Sequence, residues 1–140
     1  MIRRIARLAF VTAGVAILVS AKAVHGSDKD NAKSPAPFVH VVIVPLKSDA
    51  PAGTADEIIT DSHEMLAKIP TVRELAAGKP APKTGFAKTD YQVGLVLRFD
   101  NFEDLLAYEK HPLHQDFLKK HAKNVQLNKL AIFDFIDQKK

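Results

Sequence analysis

The stretch from Tyr91 to His121 constrains the fold more than any other part of the chain, because its hydrophobic period switches once from two to helical. In Tyr91–Phe99 (YQVGLVLRF), Tyr91, Val93, Leu95, Leu97 and Phe99 point one way and Gln92, Val96 and Arg98 the other. That alternation predicts a strand with one buried face. Asp100 or Asn101 then offers a capping oxygen for a helix running to about Lys110, with Phe102, Leu105, Leu106 and Tyr108 as its bulky residues. Pro112 suits the first turn of a second short helix, where its missing N–H is not needed. Leu113, Phe117, Leu118 and His121 continue that helix.

The flanking segments extend the same logic. Phe38–Val44 (FVHVVIV) is a β-branched run stopped by Pro45, a strand signal. Thr54 with Glu57 reads as a capping box for a helix carrying Ile58, Ile59, Ser62, Leu66 and Ile69, and Pro70 ends it. Residues 72–77 (VRELAA) fit either a helix or a short strand on local grounds. Residues 79–90 read as a loop, and 127–136 (LNKLAIFDFI) as a final strand. The order is strand, helix, short strand, strand, helix, strand: an α+β, ferredoxin-like βαββαβ protomer. One antiparallel sheet then has helices on one face only. Its other face also carries apolar residues, and a second copy packed sheet to sheet is the expected cover.

Charge narrows the partners. The 140 residues hold 20 Lys and Arg against 16 Asp and Glu, a net charge of +4. Arg3, Arg4, Arg7 and Lys22 account for the whole excess, so beyond Ala23 the chain is neutral. A neutral domain lacks the basic patch that nucleic-acid binding requires. There is no cysteine, which excludes disulfides, thiolate metal sites and a lipidated cysteine.

Residues 1–23 read as a signal peptide: three arginines, the apolar run Leu8–Val19, then Ala21-Lys22-Ala23 as a cleavage site. Val24-His25-Gly26 offers a second site, so the mature chain starts at Val24 or Ser27. The competing reading is an uncleaved anchor. The run ends at Lys22, short of the ~20 apolar residues a spanning helix needs. Arg3-Arg4 also raises twin-arginine export, although the flanking residues fit that signal poorly. Export to the periplasm or extracellular space is expected, with no stable membrane insertion after cleavage. Residues 24–37 read as a flexible linker, 38–136 as the domain and 137–140 as a tail.

The densest group of reactive side chains is Tyr108-x-x-His111-Pro112-x-His114. Histidine titrates near neutrality and tyrosine can donate a hydrogen bond to a carbonyl or an enolate. The proline turn lets His114 face the sheet while His111 does not. His40 in the first strand, Asp134 in the last and His63 in the first helix stand around this group. Structural roles compete for each: a cap or exposed turn for His111, a core position for Tyr108, a helix–sheet hydrogen bond for His114 and a satisfied core histidine for His40. His25, His63 and His121 read as solvated. No metal-binding spacing, phosphate loop or nucleophile elbow occurs, and neither a metal nor a cofactor is expected.

The segments FVHVVIVPLK, LAKIPTVRELAAG, YQVGLVLRFDNFEDLLAYEKHPLHQDF and LAIFDFI resemble the stress-responsive A/B barrel (Dabb) family across about Phe38–Ile136. The resemblance implies a dimeric α/β barrel of ferredoxin-like protomers and makes residues 72–77 the second strand. It extends distantly to the plant olivetolic acid cyclase, a polyketide cyclase. By that likeness Tyr108 and His114 would be an acid/base pair, with His114 taking a proton beside a carbonyl and Tyr108 stabilising the enolate. His40 would lie nearby, and His40 and His111 are the expected ligand-binding positions. Three functions follow: a domain binding a small apolar molecule in its barrel cavity, a small cyclase, lyase or isomerase, or a structural dimer module. A cavity lined by both Tyr108 and His114 separates the second from the third.

Overall fold

The computed structural model describes residues 36–138. The expectations for the leader and for most of the linker fall outside that range. Four strands, β1 (Phe38–Val44), β2 (Glu74–Gly78), β3 (Val93–Phe99) and β4 (Ala131–Ile136), form one antiparallel sheet in the order β2-β3-β1-β4. Helix α1 (Thr54–Glu64) lies between β1 and β2, and α2 (Phe102–Lys110) and α3 (Pro112–His121) lie between β3 and β4. This is the ferredoxin-like arrangement expected from the element order, and the ambiguous stretch 72–77 does supply a strand, shifted to Glu74–Gly78. Among the described residues no helix is long and apolar enough to cross a membrane.

Register decides which side chains share a face. Phe38, His40, Val42 and Val44 pair with Phe99, Leu97, Leu95 and Val93. His40 also pairs with Asp134, and Val42 with Ile132. All of these therefore project to one side, where Val93, Leu97 and Phe99 are fully buried with Ile58, Leu66, Leu105 and Tyr108. The opposite side presents Val41, Ile43, Val96, Phe133 and Phe135 by the same alternation. There Phe133 and Phe135 remain 58% and 51% exposed.

Local details depart from the sequence expectations at several places. Helix α1 ends at Glu64 and Leu66–Lys68 forms a separate 3-10 turn, so Leu66 and Ile69 lie beyond the helix rather than on it. Thr54 does not cap α1. Gly53 holds that position at φ +86°, a left-handed conformation suited to glycine, and the Thr54 hydroxyl donates to Pro51 O at 2.7 Å instead. Tyr91 and Gln92 precede β3 rather than belonging to it. The Gln92 amide oxygen accepts from Leu46 N, which fixes the loop beside the strand end. Leu127–Lys129 forms a 3-10 turn, so β4 begins only at Ala131.

The α2–α3 junction follows its residues. Asn101 caps α2 by accepting from Asp104 N at 2.8 Å. His111 ends α2 and caps α3, its Nδ1 accepting from Leu113 N at 3.2 Å, with Pro112 in the first turn. A proline in the interior of one long helix would remove a backbone bond; here it starts a new helix at a new angle.

Candidate functional site

A cavity of about 380 Å³ lies between the helix-covered face of the sheet and α3. That volume falls in the ~300–1,000 Å³ range of small-molecule sites. Its walls are mostly aliphatic, with Val42, Val44, Leu95, Val125 and Leu130 among them. His40, Tyr108 and His114 also line it.

These three polar residues meet because three elements deliver them to one place. Tyr108 comes from the last turn of α2 and His114 from the first turn of α3, and the intervening proline turn stacks their rings with centroids 4.4 Å apart. His40 rises from β1 against the Tyr108 ring at 6.2 Å. Phe99 supports Tyr108 from beneath at 5.2 Å.

Hydrogen bonds set the proton positions. His114 Nδ1 is 2.9 Å from Glu109 O. A carbonyl only accepts, so Nδ1 carries the proton and Nε2 is left as a bare base. His40 Nδ1 is 2.7 Å from Asp134 Oδ1, its register partner on β4. The Asp134 carboxylate accepts from His40 Nδ1–H and holds the ring in place, with Nε2 outside that bond.

Burial tunes the other two groups. It pushes the Tyr108 phenol well above its ordinary pKa, the charge of Glu109 adds to this, and no hydrogen bond offsets it. Tyr108 is thus a protonated donor throughout the neutral range. Burial also lowers the His114 pKa, and His40 adds to that. The bond to Glu109 O and the Glu109 charge oppose it without reversing it. His114 is therefore neutral at pH 7. A neutral base beside a protonated donor is what proton abstraction next to a carbonyl requires.

His111 stands apart from this group. It is not among the cavity-lining residues and its Nδ1 is engaged at the α3 cap. His63 is exposed, as expected. His121 corrects the sequence reading: it is 3% exposed rather than solvated, lines the cavity, and pairs with Asp61 at 2.6 Å. The preceding Lys119-Lys120 made it look solvated. Its spacing of seven from His114, two helical turns, was the signal that placed it on the cavity face. Among the described residues no group of three His, Asp or Glu could hold a metal ion.

Comparison with known proteins agrees with the fold. Residues 38–137 match the model of the Stress responsive A/B Barrel Domain. A stress-response A/B barrel domain-containing protein of Arabidopsis thaliana is 26% identical over 98 residues, covering 70% of this chain and 84% of that one. A dimeric Bacteroides fragilis protein of unknown function with a ferredoxin-like fold is 24% identical. It superposes with a TM-score of 0.55, covering 71% of this chain and 94% of its own. A hydroxynitrile lyase from Passiflora edulis is 20% identical with a TM-score of 0.63, covering 76% and 98%.

The chain belongs to the stress-responsive A/B barrel family.

Proposed function

We propose that this member of the stress-responsive A/B barrel family binds a small, mainly apolar molecule carrying a carbonyl group, seated between the sheet and α3. One observation carries the reading: an otherwise aliphatic cavity has the Tyr108 phenol and the His40 and His114 rings gathered at one corner. The aliphatic walls take an apolar body, and the Tyr108 hydroxyl is the donor a carbonyl oxygen needs. Titration calorimetry with a long-chain methyl ketone tests it. Tyr108→Phe removes the donor with little change of shape, and the ketone should bind about tenfold more weakly, the worth of one buried hydrogen bond. Equal binding by both proteins would remove the carbonyl from the proposal.

A second reading, acid–base chemistry, is favoured by the free Nε2 of neutral His114 beside protonated Tyr108. In it, His114 Nε2 takes a proton from the carbon next to the carbonyl, Tyr108 donates to the enolate oxygen, and the proton returns to carbon. In deuterium oxide this exchanges those hydrogens of the bound ketone for deuterium, which proton NMR follows. His114→Gln should abolish the exchange; exchange at the wild-type rate in that variant would exclude His114 as the base. The fold hosts a lyase in Passiflora edulis, in keeping with chemistry in such a cavity.

The working unit in this proposal is a homodimer joined through the uncovered sheet faces, supported by exposed Phe133 and Phe135 and by the dimeric Bacteroides fragilis relative. The proposal also retains export, supported by the n-region arginines, apolar run and Ala21-Lys22-Ala23 of the leader. Intact-mass measurement of the protein recovered from a secreting host should show a start at Val24 or Ser27. Retention of Met1 would contradict it.

A further inference from the structure

A second histidine–carboxylate pair lies on the same cavity and the chemistry above does not use it. His121 sits on α3 seven residues beyond His114, about 10 Å along the same helix face. Phe117 and Leu118 line the cavity between them, and the Phe117 and His121 rings stand 4.8 Å apart. His121 Nε2 meets Asp61 Oδ2 at 2.6 Å, and Lys120 Nζ reaches the same carboxylate at 2.7 Å and Glu57 at 2.9 Å.

The proton between His121 and Asp61 can be placed. Burial raises the Asp61 pKa, but the bonds and charges of Lys120 and His121 outweigh it and hold the carboxyl below its ordinary value. Asp61 is therefore ionised at neutral pH and only accepts, so the shared proton belongs to His121 Nε2. Nδ1 takes no part in that bond. The tie of α3 to α1 uses one nitrogen of a ring that also lines the cavity.

Resting on the small-molecule reading above, we infer that the cavity takes an elongated compound with a polar group at each end: a carbonyl at Tyr108, whose ring stacks on His114, and a hydroxyl at His121, joined by an apolar chain that runs along the two turns of α3 from His114 to His121, about 10 Å. A hydroxyl suits His121 in either protonation state. It donates to bare Nδ1 when the ring is neutral and accepts from Nδ1–H when the ring is charged. A carboxylate there would meet the charge of Asp61, and a carbonyl would find no donor on the neutral ring.

The test compares two probes, a methyl ketone of that length and the same ketone with a hydroxyl on its far end, by titration calorimetry. With the wild-type protein the hydroxyl should tighten binding about tenfold. In His121→Phe the two probes should bind equally, whatever the variant's affinity for the parent ketone. A gain kept in the variant, or absent from the wild type while the parent ketone binds, overturns this inference alone. Failure of both compounds to bind overturns the carbonyl reading and this inference with it. A second measurement needs no variant: nitrogen NMR of the wild-type histidine rings. The hydroxyketone should move the His121 Nδ1 resonance and the parent ketone should leave it in place; the same response to both would contradict the contact.

Discussion

The two faces of the sheet are built from alternate residues of the same strands, yet they do different work. The face under the helices buries Val93, Leu97 and Phe99 completely and still leaves a cavity where His40, Tyr108 and His114 converge. The opposite face offers Val96, Phe133 and Phe135 and is not covered by helices among the described residues. Apolar character alone therefore does not identify a binding site in this molecule. What separates the faces is polar chemistry: histidines with fixed tautomers on one side, an exposed aromatic ridge on the other.

Adjacent residues of β3 point to opposite faces and should respond most differently to truncation. Leu97→Ala should cost about 2–5 kcal/mol, because it empties space in a packed core. Val96→Ala should cost no more than about 0.5 kcal/mol in the monomer. Urea unfolding measures both. Similar costs at low protein concentration would mean the faces are not distinct. A Val96 cost that grows with protein concentration would instead sharpen the distinction, since it would report self-association.

Phe133→Glu is aimed at the open face alone. A charge placed at the centre of a sheet-to-sheet contact should weaken self-association by about 30-fold or more. Sedimentation velocity should show monomer while circular dichroism keeps the wild-type spectrum. Unchanged sedimentation would place any dimer contact elsewhere.

The smallest expected effect is the pH dependence of the covered face. The folded-state pKa of His114 is depressed below 6.5, so the unfolded chain binds its proton first as pH falls. Stability should be highest above 6.5 and decline as pH drops through the lower folded value. Urea midpoints from pH 7.5 to 5.5 should fall for the wild type, and His114→Leu should flatten the slope. Asp61 acts in a separate window. Its folded pKa is lowered, so its contribution is complete above 3.8 and is lost as pH falls through its folded value.

Much of this difference between faces was legible in the residues. The alternation of β3 assigned Val93, Leu95, Leu97 and Phe99 to one side, and the structure keeps that assignment. Pro112 separated His111 from His114, because only a residue beyond the new helix start is turned towards the sheet. The His40–Asp134 bond needed the β1–β4 register, which no local pattern contains. Thr54 lost its cap to Gly53 because the backbone there turns left-handed before the helix begins, a choice made by the approach of the loop. The burial of His121 against Asp61 has no local signature, because charged Lys119 and Lys120 precede it while that partner is 60 residues away on another helix.

The proposed function requires the helix-covered face, and not the open face, to hold the ligand. Amide and methyl NMR during titration with the long-chain methyl ketone tests it most directly. Saturable shifts should gather at Tyr108, His114, Leu95 and Val125, with Val96 and Phe133 unmoved. Shifts centred on Val96 and Phe133, or no saturable shift at the cavity residues, would contradict it.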